Sequence, residues 1–172
     1  LQRRDQMIRA GGYRALVPTH PKGDTRIFVP FTAFVLKRFG RAIQGPSLQD
    51  GLKSIGQLGL LIADKREGDF RVVLKSFKPV RYRANTKLKE DVGSKLIKAI
   101  EKGVPTFNGG DAEGCASIYR KVLTQLTQEG HLGKQTWADQ TVKHALARAK
   151  GEDRVSAAWT LRRAMDAVLR SL

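Results

Sequence analysis

The chain has 172 residues, 41% of them hydrophobic, enough to bury a core as one domain or as two small ones. Its 32 basic against 16 acidic residues leave a formal charge of +16, which implies an acidic partner: phosphate, an anionic lipid surface or an acidic protein face. No apolar run approaches the roughly 18 residues of a membrane span, and the single cysteine, Cys115, excludes an intrachain disulfide and a cysteine-cluster metal site.

The start, Leu1-Gln2-Arg3-Arg4, lacks the initiating Met and apolar core of a signal or transit peptide. Tyr13 to Val17 alternates as a short strand would, Pro18 to Asp24 is a turn by composition, and Arg26 to Val29 alternates again. Pro30 offers no ladder donor and so ends that strand, leaving Phe31 and Phe34 to cap an apolar core. Arg38 to Ser47, with Gly40, Gly45 and Pro46, is predicted as a loop carrying Arg38 and Arg41. Ser54 to Ala63 reads as a strand buried on both faces, and Phe70 to Phe77 as an alternating one. Between them lies a charged turn, Asp64 to Asp69, holding Lys65 and Arg66, with Gly68 free to take positive φ. Lys78 to Thr86 is a linker: Pro79 blocks a helix, and Arg81, Tyr82 and Arg83 are bulky and polar.

Several of these residues also form a family pattern: Val29, Pro30, Phe31 and Phe34, then Gly40 and Arg41, then Ile55, Gly56, Leu60, Ala63, Asp64, Lys65, Gly68, Phe70 and Val72. Over residues 13 to 79 the chain resembles the C-terminal half of the complex-I-intermediate-associated-protein domain, a β-sandwich related to galactose-binding modules. The resemblance implies an assembly or scaffolding role without a catalytic apparatus. It also implies further strands, with a Gly-rich segment, N-terminal to this region. None stands there, so the expectation is an incomplete sandwich whose missing strands lie elsewhere in the protein or come from a partner, with open edges until they do.

Past the linker the apolar period changes from two to about 3.6. Leu88, Val92, Leu96 and Ile100 form one helical stripe, with Gly103-Val104-Pro105 as its expected stop. Asp111 can cap a second helix with the stripe Cys115, Tyr119, Val122, Leu123 and Leu126, where Cys115 is a core residue. Trp137, Thr141, Ala145 and Ala149 make a third stripe, and Val155, Ala158, Leu161, Met165 and Val168 a fourth. Trp137 and Trp159 are expected to pack together in the bundle. The segment from Gly103 to Leu126 is similar to the helix–turn–helix of tetratricopeptide-like repeats and to small helical domains of cyanobacterial and plastid proteins. The predicted fold is thus α+β: an antiparallel, jelly-roll-like and incomplete β-sandwich over 1–80, a linker at 81–86, and a four-helix bundle over 87–172.

The residues supply little chemistry. His20, His131 and His144 share no metal spacing with one another or with the cysteine. The charged turn points to water as well as to acid–base work, Gly45-Pro46-Ser47 is no nucleophile elbow, and Gly109-Gly110 lacks the Lys-Ser/Thr pair of a phosphate loop. No catalytic residue, metal or cofactor is expected. The charge is weighted forward, with 17 basic and 6 acidic residues up to Arg83 and 15 against 10 after it. The partner-binding set is Arg38, Arg41, Lys65, Arg66, Arg81, Tyr82 and Arg83. The predicted function is a non-catalytic linker, assembly or structural subunit of a large organellar complex, docking a basic surface on acidic subunits. The helical resemblance leans towards a photosynthetic setting, the chloroplast stroma or the stromal face of the thylakoid, by analogy with basic linkers of phycobilisomes. The mitochondrion is the alternative. The competing reading is an RNA-associated ribosomal or translation factor, because Tyr82 between Arg81 and Arg83 interleaves ring and charge as a single-strand platform does. Peripheral membrane contact stays compatible with the charge.

Overall fold

The computed structural model describes residues 1–3, 11–19, 26–62, 68–69, 71–80, 86–134 and 136–172, with side chains at 2–3 and 86–90 excepted. The fold is α+β, with small antiparallel sheets followed by four helices.

In the N-terminal half, β2 (Gly12–Arg14) pairs with β3 (Val35–Arg38), which pairs in turn with β4 (Arg41–Ala42). A second, two-stranded sheet joins β1 (Gln2–Arg3) to β5 (Ile55–Gln57). Alternation decides which side chains go inward. Tyr13 faces Leu36 across the β2–β3 ladder, and both are buried with Leu48, while Leu1, Phe31, Phe34, Ile43 and Ile55 pack around them. Phe31 and Phe34, at either end of a 3-10 turn begun by Pro30, thus border this core, their ring centroids 6.5 Å apart. Tyr13 also donates from its hydroxyl to the Pro46 carbonyl at 2.7 Å, holding the chain that leads to Ser47. Ser47 and Asp50 form a capping box over the 3-10 segment Leu48–Ser54.

Several expected strands are shorter or replaced. The strand expected over Ser54 to Ala63 extends only as β5; Leu58, Leu60, Leu61 and Ile62 carry no regular structure and are exposed rather than buried on both faces. Residues 71–80 likewise form no strand and expose Val72, Val73, Leu74, Phe77 and Val80. Strand propensity reflects fit to a pleated, covered surface, and no described sheet lies against these segments to provide it. Arg26 to Val29 forms no strand either, because Ile27 and Val29 pack on the helical half instead. Arg38 to Ser47, expected as a loop, instead holds the end of β3, the β3–β4 turn and β4.

The helices are α1 (Thr86–Asn108), α2 (Ala112–Gln128), α3 (Trp137–Ala149) and α4 (Arg154–Ser171). Their apolar stripes meet in one core: Val92 and Leu96 of α1, Cys115, Tyr119, Leu123 and Leu126 of α2, Val142 and Ala145 of α3, Leu161, Met165 and Val168 of α4. Caps fix the ends, with Asp111, Thr136 and Asp153 each accepting a backbone N–H through the side chain. The stop expected at Gly103-Val104-Pro105 is absent, and α1 runs through it to Asn108. Gly103 is there for space: a Cβ would fall 2.6 Å from Tyr119 Cζ, so α1 and α2 meet through the bare backbone. The helix closes later, where the Asp111 N–H reaches the Thr106 carbonyl at 3.1 Å and Gly110 takes φ 92°.

Nor do the tryptophans meet. Trp159 is half exposed on α4 and stands edge-on to Phe107, centroids 5.8 Å apart. Trp137 bolts the two halves together. It is buried with Ala33 and Ala167, and its indole N–H donates to the Leu16 carbonyl at 2.7 Å. Thr32 Oγ1 donates to the Ser171 carbonyl at 3.1 Å, and Gln140 Nε2 to that of Arg26 at 3.2 Å.

Candidate docking surface

The β3–β4 connection is exposed throughout. Arg38 pairs with Arg41 in the ladder, leaving Phe39 and Gly40 as a two-residue turn in which both φ angles are positive, 47° and 81°. Positive φ at both central residues is the type I′ arrangement, whose twist matches that of the strands. Gly40 suits it without cost, having no Cβ. Phe39 does not, since a bulky side chain in the left-handed region crowds its own backbone. Nothing compensates locally, because the ring is 96% exposed. The base below is firm: Leu36 is buried, its carbonyl accepts the Ile43 N–H at 3.0 Å, and Gly11 (φ 97°) lies so close that a Cβ would stand 3.0 Å from the Lys37 carbonyl carbon. The result is a fixed tip, Arg38-Phe39-Gly40-Arg41, offering one ring between two guanidinium groups.

A second basic group lies where the sheet meets α4. Lys37 alternates with buried Leu36 and so takes the opposite sheet face, diagonal to Arg14 across the β2–β3 ladder. On α4, Arg163 and Arg170 flank Ala167, the residue buried against Ala33 and Trp137. Burial, with the charges of Arg170, Arg14 and Arg163 added, holds the Lys37 ammonium below its usual range. Among the described residues no carboxylate pairs with any of the four.

Two acidic groups of the helical half are engaged in a network of their own. Lys95 bridges Asp91 at 3.1 Å and Glu129 at 3.3 Å, while His131 places Nδ1 3.2 Å from Asp91 and Nε2 2.8 Å from Glu129, tying α1 to the turn after α2. His131, which shares no metal spacing in the sequence, is therefore a structural tie. The hydrogen bond that Lys95 donates to Asp91 raises the Lys95 ammonium, and that from the Gln125 amide lowers the Glu129 carboxyl. In the bundle core, burial first and then Cys115 push the Tyr119 hydroxyl up. Among the described residues no His, Cys, Asp and Glu cluster could hold a metal ion, and no helix is long and apolar enough to cross a membrane.

Of the sequence-predicted binding residues, the structure places Arg38 and Arg41 side by side. Lys65, Arg66, Arg81, Tyr82 and Arg83 lie outside the described residues. Sequence reading missed Phe39, whose Phe-Gly turn lacks the familiar Asn-Gly signature, and it missed Lys37 with Arg14, which sit within strands. The seven-residue spacing of Arg163 and Arg170 was a usable signal, since it puts both on one helical face.

The family model of Complex I intermediate-associated protein 30 matches residues 2–74, the β half, and stops short of α1. No curated protein and no solved structure matches the chain.

Proposed function

We propose that this chain is a non-catalytic assembly or structural subunit of a large complex, docking on an acidic protein surface through the Arg38-Phe39-Gly40-Arg41 tip. The observation that carries the reading is Phe39, fully exposed in a backbone conformation unfavourable to it and flanked by two arginines with no partner among the described residues. Aromatic and arginine side chains dominate the energetics of protein interfaces, and a pre-formed hairpin loses little entropy when it docks. The two apolar stretches, Leu58 to Ile62 and Val72 to Val80, lie open beside this basic half and suit a partner that completes the sheet.

The matched family's description names an intermediate of complex I. That supports respiratory assembly as the setting and the mitochondrion as the compartment. A photosynthetic setting in the chloroplast rests on the residues of the Gly103 to Leu126 unit alone. The test is co-sedimentation of the tagged chain with membrane-complex assembly intermediates from mitochondria and, in parallel, from chloroplasts, with and without ribonuclease. The expected result is co-migration with a respiratory intermediate that survives ribonuclease and falls at least tenfold for Phe39→Ala. Co-migration abolished by ribonuclease supports the RNA reading and refutes this one. Unchanged co-migration of Phe39→Ala removes the tip from the mechanism.

A further inference from the structure

We propose that the seam between the β2–β3 sheet and α4 is a phosphate-binding site, in which Arg14, Lys37, Arg163 and Arg170 converge on one dianionic phosphate group. The site stands on the placement of its residues. Register puts Arg14 and Lys37 on one sheet face, and spacing puts Arg163 and Arg170 on the α4 face that is packed on the β half through Ala167, Ala33 and Trp137. Two further ties join the halves there, the bond from Thr32 to the Ser171 carbonyl at the end of α4 and the indole bond of Trp137 in α3 to Leu16. The four cations therefore come from both halves of the chain and stand around the place where Ala33 and Ala167 join them.

Among the described residues no acid neutralises them. The nearest acid along α4, Asp166, is hydrogen-bonded by Arg162 Nε at 2.9 Å, and among the described residues no carboxylate forms an ion pair with the four. Lys37 is only partly accessible, and its ammonium is disfavoured by burial and by the three arginines. A seam built this way repels itself when empty. A phosphate adds an attraction to each cation that offsets their mutual repulsion, and guanidinium groups match its oxygens in pairs. A carboxylate, with one charge and two oxygens, meets fewer of the four. The same chemistry is offered by free phosphate and by a phosphomonoester lipid headgroup, and the seam's exposed arginines leave both routes open. Because phosphate would bridge the halves, its binding would stiffen the seam. This site is separate from the Arg38-Phe39-Gly40-Arg41 tip, since Lys37 and Arg38 point to opposite faces of β3.

The experiment uses the whole chain. Inorganic phosphate is titrated calorimetrically, and thermal unfolding is followed in phosphate and in chloride of equal ionic strength. The expected result is saturable one-to-one binding and a higher Tm in phosphate. Lys37→Gln and Arg163→Gln each weaken binding at least about tenfold, the scale of one charged hydrogen bond, and cancel the phosphate increment in Tm. Arg38→Gln, outside the site, leaves both intact. Both site variants remove a like charge, so their Tm in chloride should equal or exceed the parent's, which separates loss of ligand from loss of fold. Vesicles of neutral lipid with and without phosphatidic acid then divide the sources: retention only on phosphatidic acid vesicles, together with Lys37 dependence, assigns the headgroup, and binding of free phosphate alone assigns the soluble ion. Equal Tm in phosphate and chloride, or unchanged phosphate affinity in Lys37→Gln, overturns the site.

Discussion

Replacing Phe39 with asparagine separates what the hairpin costs from what it does. The residue lies at φ 47° with a ring that is 96% exposed, so the substitution removes almost no packing. Left-handed backbone costs an ordinary L-residue roughly 1–2 kcal/mol, and asparagine, with a short side chain that bonds locally, escapes much of it. Asn-Gly is moreover the favoured pair for a type I′ turn. Phe39→Asn should therefore stabilise the β half by about 1 kcal/mol, which for a chain of 172 residues corresponds to a rise in Tm of about 2–4 °C. The assay is urea unfolding monitored by tryptophan fluorescence in a Trp159→Phe background, where Trp137, buried at the seam, reports on both halves. The second reading is partner binding, which should fall at least tenfold in the same variant. A variant both more stable and less able to bind is the signature of a residue retained for docking. If Phe39→Asn lowers stability, the turn is not strained as described, and if binding persists, the ring is not the contact.

Gly103→Ala should destabilise the bundle by about 1–2 kcal/mol, because the added Cβ strikes the Tyr119 ring and overpacking outweighs the gain in helix propensity; chemical denaturation followed by circular dichroism measures it. Trp137→Phe deletes the bond to the Leu16 carbonyl and part of the ring between the halves, a loss of about 2 kcal/mol that should appear as earlier proteolysis of the segment around Leu16. The Lys95–Glu129–His131–Asp91 network gives a pH dependence with a defined sign. Glu129 has a lowered folded pKa, so its contribution is present above the ordinary glutamate value and is lost as pH falls through the folded one. Lys95 has a raised folded pKa, so its contribution is present below the ordinary lysine value and is lost as pH climbs through the folded one. Thermal melts of wild type and Glu129→Gln should differ near neutral pH and converge in acid; parallel curves down to about pH 3 would contradict the network.

The helical half was largely legible because one signal, the 3.6 period, is set by burial on a single face. Val92, Leu96, Tyr119, Leu123, Leu161 and Met165 all sit where their spacing placed them. Gly103-Val104-Pro105 misled because glycine and proline end helices for local reasons, whereas here Tyr119 of the neighbouring helix demands the missing side chain. The tryptophans misled for a related reason: Trp137 sits on a helical stripe but its partners, Ala33 and Leu16, come from the other half of the chain, and no periodicity encodes them. In the β half, alternation located Tyr13 and Leu36 inside, yet composition overstated the strands near Leu58 and Val72, whose apolar residues find no sheet among the described residues. Loop position pointed to Arg38 and Arg41. It could not show that they face each other across a two-residue turn, because cross-strand register is a tertiary fact.

The distribution of charge then separates the two basic groups by what each can do. At the hairpin tip, Arg38 and Arg41 are exposed, and water screens their mutual repulsion, so the pair costs little while free and gains only when a desolvating acidic surface closes over it. At the seam, Lys37 is partly withdrawn from water and faces three arginines, so repulsion acts on the free protein itself and presses on the joint between the halves. A tip of the first kind sets partner choice and association rate, and it weakens with salt. A seam of the second kind sets how firmly sheet and helices are held, and it responds to an anion that fits. Neutralising Arg38 and Arg41 should therefore change binding without changing Tm, while neutralising Lys37 and Arg163 should change the response of Tm to phosphate and leave the salt dependence of partner binding as it was.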